Sequence, residues 1–329
     1  MSVDPSRIGA IVAEVLDRLD RDPADPNGVR PLGIHATLDE AVTAARRAFE
    51  AWRETPLEVR DRVIALIREA ILTNAETLAK LAVDETGLGR VSDKILKNRL
   101  VASKTPGTED LEPVAWTGDH GLTLMERAPY GVIAVITPVT NPSETIVNNG
   151  ISMIAGGNTV VFNVHPSAKR TLAWYVEQLN RACVEAGAPD NMMTMITEPS
   201  IESANAVMKH KGIRLLAVTG GGPVVKAALN SGKRAVCAGP GNPPAVVDET
   251  ANLKQAARNI IDGASLDNNI VCIVEKEIIA VASIADQLKK ELVAAGAYEV
   301  KDRELQALEK LIIEDGHVNR KYVGKNAAV

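Results

Sequence analysis

Residues 131–166 read GVIAVITPVTNPSETIVNNGISMIAGGNTVVFNVHP. Two short apolar runs, Val132-Ile136 and Thr159-Val164, flank a stretch with helical spacing, Ser143-Ile154. The runs are too short for helices, rich in β-branched residues and bounded by Gly or Pro, so the order reads strand, helix, strand. It repeats downstream: Ala168-Ala186 is helical, Met193-Ile196 a strand, Ser200-His210 helical, Arg214-Val218 a strand and Pro223-Asn230 helical. This alternation predicts an α/β fold, a parallel sheet wrapped on both faces with ligands at the carboxyl ends of its strands. The loops after those strands read TPVTNP, VHPSAK, TGGGP and CAGPGNPP, and chemistry is expected there.

Upstream the pattern changes. Thr37 to Leu81 is helical, with an amphipathic stretch from Leu57 to Asn74. Residues 104–130 are broken by Pro106, Pro113 and Pro129 and read as an excursion from the main fold, an edge hairpin. At the start of the chain, Asp4-Pro5 is a helix-opening pair, and Ile8, Ile11, Val12, Val15, Leu16 and Leu19 form one apolar stripe. Residues 1–21 are therefore expected to form an amphipathic helix, and residues 22–31, with three prolines and a glycine, a linker.

The 329 residues suggest about two domains, and 46% hydrophobic against 24% charged residues is globular composition. With 42 acids against 37 bases and no long run of either sign, nothing builds the basic surface that nucleic acid needs. No apolar run is long enough to span a bilayer and no secretory signal opens the chain, so no membrane partner is expected and the cytoplasm is the expected location. Cys183, Cys237 and Cys272 are too few for a disulfide framework, and the five histidines never fall at i,i+4, so no metal site is expected.

Three features carry chemistry, each with a plainer alternative. Thr219-Gly220-Gly221-Gly222-Pro223 joins a strand to a helix, where backbone N–H groups approach a phosphate closely or simply make a tight turn. Gly239-Pro240-Gly241-Asn242-Pro243-Pro244 joins strand Arg234-Cys237 to strand Ala245-Val247; its Gly and Pro density predicts an unusual backbone path, a rigid crossover that also faces a cofactor. Cys183 lies on an apolar helix face and reads as inert, and Cys237 ends a strand. Cys272, in DNNIVCIVE, is either a buried structural thiol or a nucleophile, and spacing alone leaves both open.

Taken together, the segment from Ala128 through Asn141-Pro142, the GGNTVVFNVHP run ending at His165-Pro166, the GPGNPP crossover and Asn269-Ile-Val-Cys272 resemble the aldehyde dehydrogenase superfamily in order and spacing, from about residue 31 to the end of the chain. The GPGNPP and VHPSAK variants resemble its CoA-acylating branch, nearest to the propionaldehyde dehydrogenases of bacterial microcompartments. The resemblance implies a Rossmann-like NAD-binding domain over residues 32–244, with an oligomerisation hairpin near 104–130. It also implies that residues 245–329 are the first part of an α/β catalytic domain whose later segments, including an ExFGP-type motif, lie outside this chain.

By the same resemblance Cys272 is the nucleophile and Asn141 the oxyanion donor. Thr137, Pro138, Val139, His165, Pro166, Thr219, Gly220, Gly221, Val224 and Gly239 are the implied cofactor-lining positions, with His165 where the superfamily usually has lysine. Hydrolytic members carry a water-activating glutamate where this chain has Cys237, so acyl transfer to CoA, which needs no such base, is the implied outcome. NAD and CoA are the implied co-substrates, a short-chain aldehyde such as propionaldehyde the substrate, and a homo-oligomer the expected state. The alternatives are an acetaldehyde-specific homologue and a non-catalytic cargo or scaffold subunit. The helix over residues 5–20 resembles an encapsulation peptide, which implies docking on a shell protein inside a microcompartment.

Overall fold

The computed structural model describes residues 31–328. The expected N-terminal helix, and all of its linker but Pro31, lie outside the described residues. The chain divides into two compact units: residues up to Thr86 with Lys94–Gly239, and Gly87–Asp93 with the chain from Pro240 onward.

The first unit opens with a two-residue strand, β1 (Ile34–His35), and helix α1 (Leu38–Arg53). Thr37 caps α1 by accepting from the Glu40 N–H at 3.2 Å, and the Glu40 carboxylate accepts from the Ala36 N–H at 3.2 Å. Helix α2 (Leu57–Thr86) follows a break at Glu54–Pro56 and runs five residues past the expected end at Leu81. Helix α3 (Val91–Lys104) had no sequence expectation; from Lys94 onward it belongs to this unit. Next come β2 (Val114–Gly118) and β3 (Gly121–Met125), an antiparallel hairpin with all ten residues exposed, inside the expected excursion.

The alternating region follows as read: β4 (Val132–Ile136), α4 (Pro142–Ala155), β5 (Thr159–Asn163), α5 (Lys169–Glu185), β6 (Met193–Ile196), α6 (Ile201–Lys209), β7 (Leu215–Thr219), α7 (Gly222–Leu229) and β8 (Arg234–Ala238). The six-stranded sheet has the order β1-β6-β5-β4-β7-β8, every pair parallel. Central strands β4 and β5 are buried at every position, which accounts for their continuous apolar sequence. Val135, Val160 and Phe162 join one buried cluster with α2, α4 and α5, while Ala134, Ile136 and Val161 join another with α1 and α6. Each fully buried side chain of this size contributes roughly 1.5–3 kcal/mol.

Asn158, in the GGN stretch, is a structural bracket. Its Oδ1 accepts from the N–H groups of Tyr130 (2.7 Å) and Gly131 (3.0 Å), and its Nδ2 donates to the carbonyls of Met153 (3.0 Å) and Gly156 (3.2 Å). One side chain thus ties the start of β4 to the end of α4.

The second unit contains β9 (Pro244–Val247), α8 (Leu253–Ser265), β10 (Glu277–Ala280), α9 (Ala285–Ala294), α10 (Asp302–Ile312) and a short hairpin, β11 (Ile313–Glu314) with β12 (His317–Val318). Strands β9 and β10 pair in parallel, and α8 and α9 pack with them around Val247, Ala257, Ile260 and Leu288. Among the described residues no helix is long and apolar enough to cross a membrane.

Candidate functional site

In the first unit, the implied cofactor positions fall at one edge of the sheet, because parallel strands place their carboxyl ends together. Thr137, Pro138 and Val139 follow β4, His165 and Pro166 follow β5, Thr219 ends β7 ahead of Gly220 and Gly221, and Gly239 follows β8. These four strands are consecutive neighbours, β5-β4-β7-β8. Val224 lies in the first turn of α7, beside Gly220.

Several of these groups have features that the packing around them does not require. The Thr137 hydroxyl is buried and has no hydrogen-bond partner among the described residues. A Cβ on Gly220 or Gly221 would meet nothing closer than 3.7 Å, one on Gly222 nothing within 4 Å, and none of the three has positive φ. The fold therefore does not itself require glycine in this loop, whereas close approach of a ligand to the backbone does. The His165 Nδ1 accepts from the Ser167 N–H at 3.1 Å, so the neutral ring carries its proton on Nε2, and burial lowers its pKa from the ordinary value. The first N–H groups of α5 are already satisfied by the Glu85 carboxylate, at 2.9 Å from Arg170 N and 2.8 Å from Thr171 N, so that helix end needs no external anion. An orphan hydroxyl, an open glycine turn and a neutral imidazole fit the dinucleotide that the resemblance implies.

Asn141 occupies the N-cap position of α4, yet its side chain makes no capping bond. The Lys97 ammonium donates to its Oδ1 at 2.7 Å, and Nδ2 lies 3.5 Å from Thr140 Oγ1. Lys97 is also 3.1 Å from Glu144 Oε1, both side chains being less than a tenth exposed. Ser143 Oγ lies 3.1 Å from Glu144 Oε2 and from Asn98 Oδ1. Behind this cluster Tyr175 is fully buried, its pKa pushed well up by burial and by the negative charge of Glu144. Lys97 and Glu144 were not anticipated. The available signal was the pair Lys94 and Lys97, three residues apart on a helix and therefore on one face.

In the second unit, Cys272 is partly exposed, in a turn outside any helix or strand, and so is not a fully buried thiol. Three consecutive residues before it, Asp267, Asn268 and Asn269, have φ of 50°, 55° and 60°, a left-handed run that costs energy and needs external support. Support is abundant. Asp267 is fully buried, accepts from the Arg90 N–H at 2.7 Å and donates its own N–H to Asp93 at 2.8 Å, while Arg90 pairs with Asp93 and reaches the Ser265 carbonyl at 2.6 Å. Asn269 Nδ2 donates to the carbonyls of Ala264 (2.6 Å) and Glu275 (3.2 Å), and Lys276 donates to those of Asn269 (3.2 Å) and Val271 (3.0 Å).

The crossover meets this loop at Gly241, where an added Cβ would collide with the Cys272 carbonyl. Neither Gly239 nor Gly241 has positive φ; what requires glycine at 241 is the close approach of the Cys272 carbonyl. The other two cysteines differ in burial. Cys183 is fully buried, which pushes its thiol up to about 12, and Cys237 lies in β8 against the apolar cluster of α1 and α6.

Comparison with known proteins identifies the frame. The sequence matches the aldehyde dehydrogenase family over residues 22–306. It is 50% identical over 307 residues to an acetaldehyde dehydrogenase (acetylating) of Bilophila wadsworthia, covering 90% of this chain and 63% of that one. A propionaldehyde dehydrogenase from the Clostridium phytofermentans fucose utilisation microcompartment superposes with a TM-score of 0.87 at 47% identity, covering 90% of this chain and 68% of that one. A Rhodopseudomonas palustris propionaldehyde dehydrogenase, solved with bound CoA and an acylated cysteine, does so with a TM-score of 0.86 at 48% identity, with 90% and 68% covered. The chain thus spans about two thirds of the length of these relatives. It belongs to the aldehyde dehydrogenase family.

Proposed function

We propose that the protein is a CoA-acylating aldehyde dehydrogenase that oxidises a short-chain aldehyde, propionaldehyde foremost, to its acyl-CoA with NAD and CoA. The observation that carries this reading is the Cys272 loop, a partly exposed thiol on a backbone locked by Asp267, Asn269 and Lys276. The acylated cysteine of the Rhodopseudomonas palustris relative supports it.

In the proposed reaction the Cys272 thiolate adds to the aldehyde carbon, and the resulting alkoxide is met by two donors, the Asn141 side-chain N–H and the Cys272 backbone N–H. Preorganised donors of this kind are each worth about 3–4 kcal/mol at the transition state. Bound NAD supplies the hydride acceptor that turns the adduct into a thioester. Thr137, Pro138, Val139, His165, Pro166, Thr219, Gly220, Gly221, Val224 and Gly239 hold that cofactor, the Thr137 hydroxyl and the His165 Nε2–H offering polar contacts and the glycines close backbone approach. Cys237, partly buried against an apolar cluster, is no carboxylate base, so that position does not activate water. The thiolate of CoA therefore attacks the thioester, its sulfur bonds to the acyl carbon, and Cys272 leaves as thiolate.

The test is NADH formation from propionaldehyde and from acetaldehyde, with and without CoA, beside Cys272→Ala. CoA-dependent turnover lost in the variant is expected; turnover that persists without Cys272 refutes the reading. Acetaldehyde is the second substrate reading, because the Bilophila wadsworthia relative carries that name at 50% identity. Following the Clostridium phytofermentans relative, we place the protein in a bacterial microcompartment, docked on a shell protein through residues 5–20, and assign the exposed hairpin β2–β3 to a homo-oligomer contact. Unchanged shell co-purification after deletion of residues 1–22 refutes the docking role, and an unchanged elution volume for Trp116→Glu refutes the hairpin contact.

A further inference from the structure

We propose that Lys97 is a positioning residue for the reaction: it holds the Asn141 carboxamide so that Nδ2, and not Oδ1, faces the developing negative charge. The proposal rests on the reading of Asn141 as the oxyanion donor.

A carboxamide is nearly symmetric in shape and opposite in function at its two ends. Turned one way it donates to an oxyanion; turned by half a revolution it presents a carbonyl oxygen and repels one. Nothing in the shape of the side chain chooses between the two. An ammonium does, because it has three donors and no acceptor. The Lys97 Nζ lies 2.7 Å from Asn141 Oδ1, so the oxygen is bound to face it and Nδ2 is turned away.

The usual alternative anchor is missing, since Asn141 stands at the N-cap of α4 and its side chain makes no capping bond. The backbone there is instead secured by Thr145, whose N–H and hydroxyl both donate to the Asn141 carbonyl, at 3.2 and 2.7 Å. The side chain's other contact, Nδ2 at 3.5 Å from Thr140 Oγ1, is to a hydroxyl that can meet either end of an amide, so the choice of end is left to Lys97.

Lys97 is itself well fixed. Its side chain is 8% exposed and is paired with Glu144, 7% exposed, one helical turn beyond Asn141. A charge in such a place is retained only when compensated, which keeps the ammonium at one position relative to the amide. Its field also polarises the amide and strengthens the remaining N–H as a donor.

The test is single-turnover acylation of the protein by propionyl-CoA, followed by intact mass. The Cys272 thiolate attacks the thioester carbonyl, the carbon–sulfur bond to CoA breaks, and CoA leaves as thiolate, so the same oxyanion forms without NAD. Removing a donor slows such steps by about 10²–10³-fold, which is expected for Asn141→Ala. Lys97→Met is expected to slow the saturating rate about tenfold, the value of one charge-assisted hydrogen bond, with the half-saturating concentration of propionyl-CoA unmoved. Adding Lys97→Met to Asn141→Ala is expected to cost nothing further, because the amide to be positioned is gone.

Lys97→Met with Glu144→Gln removes both charges together, leaves no orphan carboxylate, and carries the same expectation if the single variant does not fold. Wild-type acylation rates in the Lys97 variants, or losses that add to those of Asn141→Ala, overturn the proposal alone. A wild-type protein that takes no acyl group on Cys272 overturns the acylating reading, and Asn141→Ala at the wild-type rate overturns Asn141 as the donor; either removes the basis of the proposal.

Discussion

Gly241→Ala drives a methyl group into the Cys272 peptide. The added Cβ would collide with the Cys272 carbonyl oxygen and lie 3.0 Å from its carbonyl carbon, but 3.6 Å from the Cys272 Cβ, an ordinary contact. The strain therefore falls on backbone and not on a side chain that can rotate away. That backbone has little freedom, since Lys276 holds the carbonyls of Asn269 and Val271, and Asn269 holds those of Ala264 and Glu275. Relief requires a shift of the order of an ångström, with overpacking costing about 1–3 kcal/mol. A displacement of that size at a reacting group costs up to about 10²-fold in rate. Gly263→Ala is the control, because the atoms nearest its Cβ are those of the Glu275 carboxylate, the end of a flexible side chain. Thermal unfolding and the rate of Cys272 acylation by propionyl-CoA measure the two consequences. A Gly241→Ala protein with wild-type melting and wild-type acylation refutes the claim that glycine is needed here to admit the Cys272 loop.

Gly239→Ala places its Cβ within 4 Å of nothing, so stability should stay within about 0.5 kcal/mol; a raised half-saturating NAD concentration then supports Gly239 as a cofactor contact, and an unchanged one removes it. Iodoacetamide at pH 8 should label Cys272 first and Cys183 only on unfolding, because burial pushes the Cys183 thiol up to about 12; peptide mapping that finds Cys183 modified in the folded protein contradicts this. Burial lowers the His165 pKa, so the folded state binds this proton less readily than the unfolded chain. Its contribution to stability is present above about pH 6.5 and is lost as pH falls through the lower folded value. His165→Gln should flatten the melting temperature between about pH 7 and 5, and an unaltered profile counts against it. Asn158→Ala removes four hydrogen bonds between the start of β4 and the end of α4 and should cost about 2–4 kcal/mol by urea unfolding, a loss under about 0.5 kcal/mol being incompatible with its role as a bracket.

Much of this protein is written locally in its sequence. The strands β4 to β8 and the helices between them lie within a residue or two of their expected bounds, because burial on both faces imposes continuous apolar runs on central strands and 3.6-residue periodicity on covering helices. Parallel strands then put TPVTNP, VHPSAK and TGGGP at one edge, so the first unit's candidate site was legible as soon as the alternation was seen. Tertiary structure decided what depends on residues far apart in the chain. Strand β1 is two residues long and leaves no periodicity; it becomes a strand only by pairing with β6, some 160 positions later. Spacing alone left Cys272 open between core thiol and nucleophile; that it lies partly exposed, in a turn following a segment fixed by Arg90 and Asp93, depends on residues some 175 positions away. Gly241 read only as part of a Gly- and Pro-rich crossover; that the Cys272 carbonyl lies against it depends on the fold. Lys97 drew no expectation from the sequence, because its partners Asn141 and Glu144 lie 44 and 47 positions away, and a local pattern carries no information about which charge meets which amide after folding.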